Sequence, residues 1–69
     1  MHYEFSDKII PGKQGIEIVC TATFEHNGKE ESVVVAEHHY DKDKATIELH
    51  AGLMRQVQEA VKTWKEQNA

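Results

Sequence analysis

Residues 16–25 alternate strictly between two side-chain sets. Ile16, Ile18, Cys20, Ala22 and Phe24 form one set, and Glu17, Val19, Thr21, Thr23 and Glu25 form the other. A period of two is the signature of a strand with one buried face. Tyr3, Phe5 and Ile9 follow the same rule within residues 2–10, with Asp7 breaking the apolar set. Residues 30–40 supply Val33, Val34 and Val35 and predict a third strand. Beyond Leu53 the period becomes helical. Leu53, Met54, Val57, Ala60, Val61 and Trp64 fall within an arc of about 120° on a helical projection, and polar residues fill the rest. Gly52 costs roughly 1 kcal/mol inside a helix relative to alanine, so the expected helix spans 51–67. Residues 45–50, containing Thr46-Ile47-Glu48-Leu49-His50, read either as a short fourth strand or as the start of that helix.

The turn chemistry sets the expected register. Asn27-Gly28 suits a two-residue type I′ hairpin, which needs positive φ at both central positions. That turn places Ala22 opposite Val33 and Cys20 opposite Val35, joining both valines to the apolar face of the second strand. It also sets Glu25 against Glu30, a conflict that a bulged loop would relieve by inverting the third strand. Pro11-Gly12 suits a type II turn, in a loop running on to Gly15. A hairpin centred on that turn would put Phe5 opposite Ile18 and Tyr3 opposite Cys20. The expected architecture is α+β: an antiparallel meander of three to four strands, closed on one face by a C-terminal helix. Sixty-nine residues hold one such domain, 1–69.

Charge narrows the function. Twelve acidic residues against eight Lys and Arg give a net charge of −4. The whole excess lies in residues 1–40, where seven acids meet three lysines; residues 41–69 balance. Phosphate-rich partners select clustered Lys and Arg, so neither nucleic acid nor an anionic membrane is expected. Cys20 is the only cysteine, so no internal disulfide can form. Glu4, Asp7 and Lys8 interrupt any secretory apolar run at the N-terminus. The longest apolar run, Val33 to Ala36, is far short of the roughly 20 residues of a membrane span. The cytoplasm is the expected location.

Candidate chemistry is sparse. No phosphate-binding glycine loop, dinucleotide fingerprint or nucleophile elbow occurs, so neither an enzyme nor a cofactor is expected. Cys20 belongs to the apolar set, where a free thiol packs as a small hydrophobe. His38, His39, Asp41 and His50 form the densest set of metal-ligand types and constitute the alternative reading, a divalent-metal site. Neighbours on a strand point to opposite faces, so His38 and His39 cannot chelate together while both are extended. The second face of the meander is more informative. It carries Val19, Thr21, Val34, Ala36 and Tyr40, with Glu17 at its rim, an apolar centre inside charge. These six residues are the expected interface of a small non-enzymatic interaction or regulatory module, meeting a protein partner or itself as a homodimer.

Overall fold

The computed structural model describes residues 1–39 and 47–69. Its elements are β1 (His2–Lys8), β2 (Ile16–His26), β3 (Lys29–His39) and α1 (Ile47–Gln67). The strands form an antiparallel sheet in the order β1-β2-β3. This is the expected α+β meander with one helix. Tyr40 and Asp41 lie outside the described residues, as do residues 45 and 46 of the expected fourth strand.

The β2–β3 hairpin forms on the predicted turn. Asn27 and Gly28 have φ of 52° and 78°, the left-handed pair that type I′ requires. His26 pairs with Lys29, Ala22 with Val33, and Cys20 with Val35. No bulge intervenes, and Glu25 does face Glu30. Glu25 and Glu30 are both exposed, so water screens the repulsion.

Three expectations are corrected. Ile10, Pro11, Gly12 and Lys13 do form a turn, with the Lys13 amide donating to the Ile10 carbonyl at 3.1 Å and Gly12 at φ 80°. That turn is not the hairpin tip, however. The strands are joined by residues 9–15, and Phe5 pairs with Cys20 and Tyr3 with Ala22, two residues from the expected register. A slide of two keeps every side chain on its face, so the core face survives. Ile9, expected inside, falls in that connection and is 74% exposed. The helix begins at Ile47 rather than Ala51, which removes residues 47–50 from any fourth strand. The added turn brings Leu49 onto the core and His50 beside β1, contacts that offset the cost of an internal Gly52.

The core is the alternating face of β2 under one helical stripe. Ile16, Ile18, Cys20, Ala22 and Phe24 are buried against Leu53, Val57 and Val61. Tyr3, Phe5, Val33, Val35, Leu49 and Trp64 pack around them. Twenty-one helical residues span about 31 Å and eleven strand residues about 36 Å, so the helix covers most of the sheet's length. It lies over β2 and β3. Both ends are pinned. Near its start, the His50 ring packs 4.9 Å from that of Phe5. Near its finish, Trp64 makes edge contacts with Phe24 at 5.2 Å and His26 at 5.0 Å. The His26 ring Nε2–H donates to the Asn68 carbonyl at 3.1 Å. Asn68 caps the helix in turn, its side-chain Nδ2 and backbone amide both donating to the Trp64 carbonyl at 2.8 and 3.0 Å. No helix among the described residues is long and apolar enough to cross a membrane.

Candidate interaction surface

One helix covers one face, and no element among the described residues packs over the other set of alternate residues. The pairing arranges it in rows across all three strands. Glu4, Thr21 and Val34 form one row, and Ser6, Val19 and Ala36 the next. His2, Thr23 and Ser32 flank these toward the hairpin, followed by Glu25 and Glu30. Lys8, Glu17 and His38 close the opposite end. Val34 is 58% exposed, well above the usual exposure of a valine in a sheet. Val19 and Thr21 on the central strand are shielded by their neighbours, whereas Ala36 on the edge is open. Five of the six expected interface residues therefore share this face, with Tyr40 outside the described residues.

β1 adds residues to this face beyond those expected from the sequence. His2, Glu4, Ser6 and Lys8 line the same face, a signal already present in the alternation opposite Tyr3 and Phe5. Their row partners depended on the register. The slide of two sets Lys8 beside Glu17 rather than Ser6 beside it, so opposite charges meet at that corner.

The metal alternative gains no geometry. His38 pairs with Glu17 on the open face, while His39 pairs with Ile16 on the helix side. His50 comes from the helix, its Nε2 at 3.7 Å from Asp7 Oδ1. The Nε2 of His39 stands 3.6 Å from Glu37 Oε1. Both histidine Nε2 atoms are buried and lack a hydrogen bond. Asp41 lies outside the described residues, among which no three His, Cys, Asp or Glu side chains converge as a metal would require. His39 and His50 thus meet separate carboxylates, Glu37 and Asp7, and do not converge on one point.

Cys20 is fully buried, and desolvation pushes its thiol above the ordinary value. A nucleophilic cysteine requires the opposite shift. Between helix and sheet, the Gln56 amide donates to Glu37 Oε2 at 3.3 Å, tying the middle of α1 to β3. No protein-family model, no curated protein and no solved structure matches this chain.

Proposed function

We propose that this chain is a small non-enzymatic interaction module of the cytoplasm whose binding surface is the open face of the sheet. The observation that carries the reading is the Val34 and Ala36 pair on β3 beside Thr21 and Val19 on β2, in solvent and ringed by Glu4, Glu17, Glu25 and Glu30. An apolar centre inside a charged rim is the layout of protein interfaces. The acidic rim disfavours phosphate-bearing partners and favours a protein surface. The test places a charge at the centre. Val34→Lys should abolish concentration-dependent association in sedimentation experiments while the circular dichroism spectrum stays native, because the side chain touches no part of the core. Unfolding of Val34→Lys would refute the placement of this face in solvent. Association unchanged by the lysine would refute the face as the contact.

A further inference from the structure

We propose that two copies of this chain join edge to edge through β3, antiparallel about a twofold axis at Val33, making one continuous six-stranded sheet. This deepens the reading above and rests on it for the choice of a protein partner. The pairing runs the two open faces into one, with Val34 of each copy beside the axis, where two lysines would repel. Among the described residues β3 is the outer strand on one side, eleven residues long and without proline. The type I′ turn makes His26 and Lys29 a hydrogen-bonded pair, so the bonded pairs recur at Phe24–Glu31, Ala22–Val33 and Cys20–Val35. The backbone groups of Glu30, Ser32, Val34 and Ala36 therefore point away from β2 along the open edge. Long edges of this kind are templates for another strand.

Charge selects the second copy and its register. With the axis at Val33, Lys29 faces Glu37 of the other copy, twice by symmetry. Glu30 faces Ala36, Glu31 faces Val35 and Ser32 faces Val34. No like charges stand opposite each other. Moving the axis to Val34 sets Glu31 against Glu37, and moving it to Val35 sets Glu37 against Val33 and carries Lys29 beyond the end of β3 at His39. Four bonded pairs in the chosen register supply roughly eight backbone hydrogen bonds.

The helix fits the same arrangement. Strands stand about 4.8 Å apart, so a helix over the β2–β3 seam lies about 5 Å from the axis and about 10 Å from its mate, a normal helix-packing distance. Gln56 reaches Glu37 and so marks the side of α1 that faces β3. Gly52 and Ala60 lie one turn either side of it on the same row, and a Cβ placed at Gly52 meets nothing within 4 Å. Small residues thus occupy the flank where the second helix would approach. Pairing through β1 would hold the two helices about twice as far apart, with bare sheet between them.

Ser32→Pro tests the edge alone. It removes an amide that β2 does not use and leaves Val19, Thr21, Val34 and Ala36 in place. The wild type should sediment as a dimer at about 0.5 mM, within reach of a modest interface. Ser32→Pro should be monomeric with a native circular dichroism spectrum. Under mild oxidation Val33→Cys should form an interchain disulfide faster than Val35→Cys, since the two Val33 would face each other in a non-bonded pair within disulfide reach. A monomeric wild type overturns the proposal, as does faster cross-linking at position 35. A Ser32→Pro variant that stays dimeric also overturns it, and that result leaves the open face itself as the contact. Should the proline variant fail to fold, Lys29→Glu replaces it. That change should weaken the dimer roughly ten-fold, with recovery on adding Glu37→Lys in the same chain. An unchanged dimer in Lys29→Glu overturns the register.

Discussion

Trp64 holds the C-terminal end of the helix on the sheet, and its removal tests how the core is closed. The ring is partly buried and meets Phe24 and His26 edge-on at 5.2 and 5.0 Å. An indole buries about 150 Å² at the low end for aromatic side chains, which is worth about 3–4 kcal/mol at 25 cal/mol per Å². Edge contacts with a ring add about 0.5–1 kcal/mol, and the alanine methyl retained returns a similar amount. Trp64→Ala should therefore cost about 3 kcal/mol, the lower end for aromatic truncation because part of the ring stays wet. A chain of this length has about 3–10 kcal/mol in total, so the loss is a large share. The assay is urea unfolding followed by circular dichroism at 222 nm, since the substitution removes the only tryptophan. With a slope of about 1 kcal/mol per molar urea, the midpoint should fall by 2–3 M or the variant should already be unfolded in water. Trp64→Phe keeps a ring over Phe24 and should lose about half as much. A Trp64→Ala midpoint within about 1 M of wild type would refute the reasoning, for it would place the anchoring of the helix in Leu53, Val57 and Val61 alone.

Three further outcomes follow from particular residues. Gly52 sits inside α1 with open space where a Cβ would stand, so Gly52→Ala should raise stability by about 0.5–1 kcal/mol in urea melts of dilute protein; a loss would mean the position is crowded. Cys20 should react with a thiol reagent only as fast as the chain opens, and denaturant should release it. Because burial raises its folded value above the unfolded one, its contribution is complete at neutral pH and is lost as pH rises through the alkaline thiol range; a Cys20→Ala variant should lack that part of the alkaline decline. Thermal unfolding should be identical with and without a strong chelator, because His38 and His39 lie on opposite faces; a fall in melting temperature would revive the histidine site.

Sequence alone determined whatever depends on near neighbours along the chain. Asn27-Gly28 pointed to the β2–β3 register through its type I′ turn, with a bulged loop as the open alternative, and the strands adopt the two-residue turn. The alternation from Ile16 to Phe24 fixed which face of β2 is buried, since a period of two leaves no other assignment. Most of the open face was legible for the same reason, once Val19 and Thr21 were paired with Ala36 and Val34. Tertiary structure decided what local signals left degenerate. The Pro11-Gly12 turn formed, but a turn inside a seven-residue connection does not set a register, and packing of Tyr3 and Phe5 against the core chose Ala22 and Cys20 as their partners. That choice placed Lys8 beside Glu17 and brought β1 into the candidate surface. Residues 47–50 fit either period over so short a stretch. Contact of Leu49 with the core and of His50 with Phe5 and Asp7, side chains some forty residues away in sequence, made them helix.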